Sequence, residues 1–241
     1  MKENLKKILI FFKIKNFVGR LYFLIKTNGL IEGLYHFLIL DLIKYLSNLI
    51  YDSYWGISTT KIIEVEDLDI KGEQKKHSTR YQATSLKHLK LSLDYLLKDD
   101  KITYDFFLDI GCGMGRPCFF ASKYYPRISK FVGVDISDKM ISIANKNLKS
   151  FRNKKNFPKN NIKFINQDAL DFKFEDNRSY LIFLFNPFSD IYVRKFFSQN
   201  MSHIKKNKSK IIFVNQSENG IFEKYFNLIF NNSKKALRIY E

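Results

Sequence analysis

Two spacings of apolar residues divide the chain. Over residues 3–26, Leu5, Ile8, Phe12, Ile14, Phe17, Leu21 and Leu24 fall mostly at helical intervals, with lysines and Arg20 between them. Residues 29–51, GLIEGLYHFLILDLIKYLSNLIY, predict a second helix, interrupted by Asp41 and Lys44. Residues 52–80 read as irregular, apart from a short strand candidate at IIEVED. The stretch TSLKHLKLSLDYLLK then places Leu86, Leu89, Leu93, Leu96 and Leu97 on an amphipathic helix, with Thr84 or Ser85 as its N-cap. From residue 106 the pattern changes to short, nearly continuous apolar runs separated by helical segments. Strands are expected at FFLDI (106–110), KFVGVDI (130–136), IKFINQD (162–168), YLIFLFN (180–186) and KIIFVNQ (210–216). Helices are expected over 114–125, 138–151 and near 190–203. Strands this apolar need cover on both faces, which intervening helices supply to a parallel sheet. The tail YFNLIFNNSKKALRIYE adds two short strands with a turn at NNSKK. The expectation is α/β: a seven-stranded, mostly parallel sheet over residues 80–241. A helical extension and connecting segment over 1–79 precedes it.

Composition changes this picture little. The chain is 45% hydrophobic and 16% aromatic, enough for a sizeable core, and carries 41 Lys and Arg against 24 Asp and Glu, a net +17. Such a surplus favours anionic partners. However, the basic residues are spread along the chain, and Lys, Asn, Ile and Phe are all abundant. Most of the charge therefore reads as solvated surface, permitting weak contact with an anionic membrane surface or nucleic acid. The first fifty residues hold eight Lys or Arg and three Asp or Glu, a net +5. Their helices are expected to cover the sheet domain or shape its acceptor entrance, with peripheral membrane contact permitted. The longest apolar run near the start, ILIFF, is shorter than the roughly 7–15 residues of a secretory core, and no run reaches the roughly 18 needed to span a bilayer. Two cysteines, Cys112 and Cys118, make no disulfide framework, and no cysteine or histidine spacing suggests a metal site. A cytoplasmic location fits. His36, His77, His88 and His203 are scattered and read as surface or internally satisfied residues.

The stretch FFLDIGCGMGRP, residues 106–117, carries the candidate chemistry. It places Gly111, Gly113 and Gly115 at alternate positions after Asp109. In a doubly wound sheet, ligands sit beyond the carboxyl ends of the strands, where this loop falls. The dinucleotide pattern G-x-G-x-x-G requires glycine where Arg116 stands. That argues against a nucleotide-dependent oxidoreductase. An aspartate before the loop suits a ligand with an ammonium group better than a pyrophosphate. Asp135 ends the second strand, where a carboxylate can accept both ribose hydroxyls. Asp168 ends the third.

The segment LDIGCGMGR resembles motif I of class I S-adenosylmethionine-dependent methyltransferases, which have a Rossmann-like fold. The resemblance implies that Asp109 faces the methionine end of the cofactor, and that Gly111, Gly113 and Gly115 let the backbone approach it, with Cys112 in the same loop. It implies that Asp135, followed by Ile136, anchors the ribose. It also implies that Asp168 bonds the adenine amino group and that Ala169 contributes backbone. The fourth strand ends in Asn186-Pro187-Phe188, similar to the Asn/Asp-Pro-Pro-Tyr/Phe motif of amino-group methyltransferases but with one proline instead of two. There the motif orients the target nitrogen and stacks a ring on it. Across residues 51–216 the layout resembles a bacterial class I group of poorly defined substrate, in which Tyr81 and Thr84 precede a helix packed over the cofactor. The implied activity is methyl transfer to an amine or amide nitrogen, a protein side chain favoured. Nucleic acid, a small molecule such as a sugar, and a non-catalytic cofactor-binding scaffold remain the alternatives.

Overall fold

The computed structural model describes residues 25–26, 29–35, 42–154, 161–215 and 222–241. The chain divides into two compact units, residues 1–54 and 55–241. Of the helix expected over 3–26, only residues 25 and 26 are described, and they are helical; the rest lies outside the described residues. The helix expected over 29–51 is described as α1 (Leu30–Tyr35) and α2 (Leu42–Trp55), with residues 36–41 outside the described set. Among the described residues, no helix is long and apolar enough to cross a membrane.

The segment that reads as irregular is ordered by anchors without a period. Strand β1 (Ile62–Ile63) pairs antiparallel with β2 (Tyr81–Gln82), and α3 (Gly72–His77) lies between them in sequence. The strand candidate IIEVED yields only two strand residues before a short 3-10 turn at Val65–Asp67. Leu68 and Ile70 are buried against Met114 and Met140. Asp69 between them accepts hydrogen bonds from Ser137 Oγ and from the Lys139 amide, the latter at 2.9 Å. Helix α4 (Leu86–Leu96) follows Ser85 and buries Leu89, Leu93 and Leu96, the expected stripe. Ser85 sits at the N-cap position but makes no side-chain capping bond.

The main sheet contains β3 (Tyr104–Ile110), β4 (Ile128–Asp135), β5 (Asn161–Asn166), β6 (Tyr180–Phe185), β7 (Lys210–Val214), β8 (Leu228–Asn232) and β9 (Leu237–Tyr240). Its order is β5-β4-β3-β6-β7-β9-β8. The first five of these strands are parallel, while β9 runs antiparallel to both β7 and β8. The tail is therefore the expected hairpin, turning at Ser233–Lys235, and β9 inserts between β7 and β8. The fold is the Rossmann-like one read from the sequence.

Strand β3 lies inside the sheet between β4 and β6, and six of its seven residues are buried. Phe107 lies between Phe131 and Phe183, at ring-centroid distances of 6.3 and 6.0 Å. Three helices fill the crossovers: α5 (Arg116–Tyr124), α6 (Asp138–Arg152) and α7 (Asp190–Lys206). Phe119 of α5 meets Phe151 of α6 at 5.0 Å on one face. On the other, Val193, Phe196, Phe197 and Ile204 of α7 pack with Phe106, Leu108, Ile110 and Ile182. The chain moves outward from β3 through β4 to β5, then returns to place β6 on the far side of β3. This reversal opens a crevice between the loops after β3 and β6. Strands β6 and β7 end one to two residues earlier than their apolar runs suggest. The reason is that Asn186 and Asn215 adopt left-handed backbone, with φ of 43° and 56°.

Candidate functional site

The turn after β3 is left-handed at Gly111, Gly113 and Gly115, with φ of 72°, 51° and 85°. Side chains of the protein itself press against it. A Cβ on Gly111 would lie 2.4 Å from Pro187 Cβ, and one on Gly113 would lie 2.2 Å from the Tyr81 ring. Gly115 is covered by Phe164 and is the N-cap of α5. The glycines thus combine the positive φ that only they adopt freely with room for a proline from the β6 loop and a phenol from β2.

Three carboxylates at or just past the strand ends are held differently. Asp109, near the end of β3, is 2% exposed, and its Oδ2 has no hydrogen-bond partner among the described residues. Burial pushes its carboxyl well above the usual range, and the nearby charge of Asp135 adds to the effect. Asp135, at the end of β4, holds the loops on either side. Its Oδ2 accepts from the Gly113 amide at 2.8 Å, and its Oδ1 from the Ser137 amide at 2.9 Å. Desolvation still raises its pKa, against the pull of those bonds. Asp168, after β5, caps the turn Ala169–Asp171 through the Leu170 amide at 2.9 Å and accepts from the Tyr192 hydroxyl.

The loop after β6 closes the crevice. Asn186 turns the chain, Pro187 lies against Gly111, and Phe188 pairs with Ser78 through an antiparallel bridge. Thr79 Oγ1 donates to the Asn186 carbonyl at 2.6 Å, and the Ser189 amide donates to the His77 carbonyl at 2.8 Å. Residues 77–84 therefore form a strap over the site. Its Tyr81 hydroxyl donates to the Thr59 carbonyl at 2.8 Å.

A cavity of about 290 Å³ lies within this frame, near the lower end of small-ligand sites. Tyr81, Thr84, Gly111, Cys112, Asp135, Ile136, Asp168, Ala169, Asn186, Pro187 and Phe188 all line it. Of the residues singled out from the sequence, Asp109, Gly113 and Gly115 stand behind the wall instead. Sequence reasoning missed His77, Ser78, Thr79 and Arg80 of the strap, together with Gln167, Tyr192 and Asn215. The strap carries no period or motif that could reveal it. Tyr192 had a signal, standing one helical turn after Phe188 at the start of α7. His77 is held through Nδ1 by Ser189 and faces this cavity. Cys112 and Cys118 are buried thiols whose pKa values are raised, first by burial. Among the described residues, no group of three His, Cys, Asp or Glu side chains is placed to hold a metal ion.

Residues 107–207 match a family model described as a methyltransferase domain. No curated protein matches the chain. Among solved structures, it is similar to the plantazolicin methyltransferase BpumL in complex with SAH, at 23% identity and a TM-score of 0.36. That match covers 54% of this chain and 46% of the other, so it spans less than half the length of that protein. It is also similar to an S-adenosylmethionine-dependent methyltransferase from Clostridium acetobutylicum, at 17% identity and a TM-score of 0.41, covering 63% and 59%. A third is a putative rRNA-methylase from Clostridium thermocellum, at 16% identity and a TM-score of 0.45, covering 64% and 94%.

Proposed function

We propose that this chain, whose residues 107–207 match a methyltransferase domain, transfers a methyl group from S-adenosylmethionine to an amine or amide nitrogen, a protein side chain favoured. One observation carries the reading. Asn186-Pro187-Phe188 lies at the switch of strand order, with Pro187 against Gly111, in the same cavity as Asp135 and Asp168.

The side chains present fit the cofactor. Each oxygen of Asp135 accepts one backbone amide and keeps a further lone pair for a ribose hydroxyl. Asp168 and the Ala169 backbone offer acceptor and donor groups for a purine edge. The unpartnered Oδ2 of Asp109 sits behind the glycine turn, where it favours positive charge nearby. When bound, S-adenosylmethionine supplies a methyl group activated by a sulfonium.

The chain's own contribution is then to hold the acceptor in line and exclude water. Such positioning alone can supply several kcal/mol of rate enhancement. Asn186 offers an amide oxygen to an acceptor N–H, and Phe188 offers a ring face. The Thr79 bond to the Asn186 carbonyl fixes the turn that aims both. The basic surplus is assigned to weak contacts with an anionic surface, in a cytoplasmic setting.

The test is transfer of a radiolabelled methyl group from the cofactor into protein, nucleic-acid and small-molecule fractions of a lysate. Label stable to base in the protein fraction is expected. Label confined to nucleic acid, or released by mild base as from a methyl ester, overturns the nitrogen reading.

A further inference from the structure

We propose that His77 is the general base of the site, taking the proton that the methyl acceptor releases. The inference rests on the acceptor site described above and adds the group that completes its proton balance. A nitrogen that forms a new N–C bond with its lone pair must lose a proton, before or after the transfer, while the electron pair of the broken C–S bond stays on the donor sulfur. A basic atom in the cavity can take that proton directly, and the other candidates are already committed. Both oxygens of Asp135 accept backbone amides. Asp168 accepts from the Leu170 amide and from Tyr192. Asp109 lies behind the wall. The Tyr81 hydroxyl donates to Thr59 and the Tyr192 hydroxyl to Asp168. The Cys112 thiol is held protonated by burial, and Arg80 and Arg116 offer no lone pair.

His77 differs from all of these. It ends α3 at the cavity edge, with Glu73, Lys75 and Lys76 on its own helix. Its ring stacks on Tyr192 at 5.2 Å, and its carbonyl is clamped by the Ser189 amide. Nδ1 lies 2.8 Å from Ser189 Oγ. Ser189 occupies the N-cap position of α7, yet its hydroxyl makes no capping bond, so it can accept from Nδ1–H. That tautomer leaves the lone pair on Nε2, which has no partner among the described residues. A neutral imidazole with one ring nitrogen donating offers the other as a proton acceptor. The base is thereby tied, three residues on, to the loop that aims the acceptor.

Proton–nitrogen correlation spectra of the imidazole rings in the full chain test this without knowledge of the acceptor. In the neutral ring, protonation of His77 on Nδ1 is expected, with the tautomer shifting in Ser189→Ala. A neutral ring protonated on Nε2 overturns the proposal. Calorimetry with S-adenosylhomocysteine should give His77→Asn the wild-type affinity. A large loss would make His77 a cofactor ligand instead. On whichever lysate fraction takes up label, His77→Asn should lower turnover by at least about a hundredfold at pH 7, with partial recovery as pH rises. Unchanged turnover with an unchanged pH profile removes the base. If the label proves to sit on oxygen while the tautomer is as expected, the base stands and only the nitrogen reading falls.

Discussion

The two walls of the cavity are built on different length scales. The wall formed by the ends of β3, β4 and β5 is local: each carboxylate stands at or just past the end of its own strand, and two of them are satisfied by nearby amides, Asp168 by Leu170 and Asp135 by Ser137. The wall around Asn186-Pro187-Phe188 is assembled from distant segments. Thr79 reaches Asn186 across 107 positions, and His77 reaches Ser189 across 112. The first wall resembles a preformed cradle, whereas the second depends on a strap that must dock before that side of the cavity exists. Binding and turnover should therefore respond separately to mutation.

The sharpest separation is expected from Asn186→Ala. Cofactor affinity measured by calorimetry should be unchanged, while turnover should fall by about 2–4 kcal/mol in transition-state terms, the scale of removing one preorganised polar group. Loss of cofactor affinity would merge the two walls and break the comparison. Gly113→Ala attacks the seam between them. The new methyl group would meet the Tyr81 ring, and φ is positive, so a stability loss of about 2–3 kcal/mol is expected in denaturant titration. Tyr81→Leu should relieve part of that loss, a coupling that a purely local glycine effect would not show.

The local wall has its own signature in Asp109. Its folded-state pKa is raised, so the protonated form favours the native state. That contribution is whole below the unfolded carboxylate value of about 3.9 and is lost as pH rises through the folded value. Asp109→Asn should therefore be more stable than wild type at neutral pH by about 1–3 kcal/mol, yet bind cofactor more weakly. The stability difference should vanish near pH 3. A variant less stable than wild type at pH 7 would contradict the buried carboxyl, whose Oδ2 has no partner among the described residues. The smallest effect is expected from Thr79→Val, which removes the strap's bond to the Asn186 carbonyl. A loss of about 0.5–1.5 kcal/mol in stability, with turnover reduced more than cofactor affinity, would place the strap on the acceptor side.

What the sequence determined by itself was the sheet and the local wall. Runs such as YLIFLF and FFLDI leave no polar face for solvent, so helices must cover both sides and the strands must run parallel. Asp109, Asp135 and Asp168 were legible because each stands at a strand end, and a parallel sheet brings such ends to one edge whatever the loops do. The hairpin turn at NNSKK was legible for a similar reason, since its chemistry is local.

What covers the glycine turn depends on contacts between distant segments. Residues 57–84 have no hydrophobic period, because they are pinned at separate points: Leu68 and Ile70 on Met114 and Met140, Asp69 on Ser137 and Lys139, and Tyr81 on Gly113. Single anchors spaced by polar residues leave no repeating signal along the chain. His77 and Tyr192 likewise acquire their roles from a stacking contact between segments 115 positions apart in the sequence. Periodicity reports which face of an element is buried, but a strap has no face, and its energy comes from a few long-range contacts that exist only once the sheet has formed.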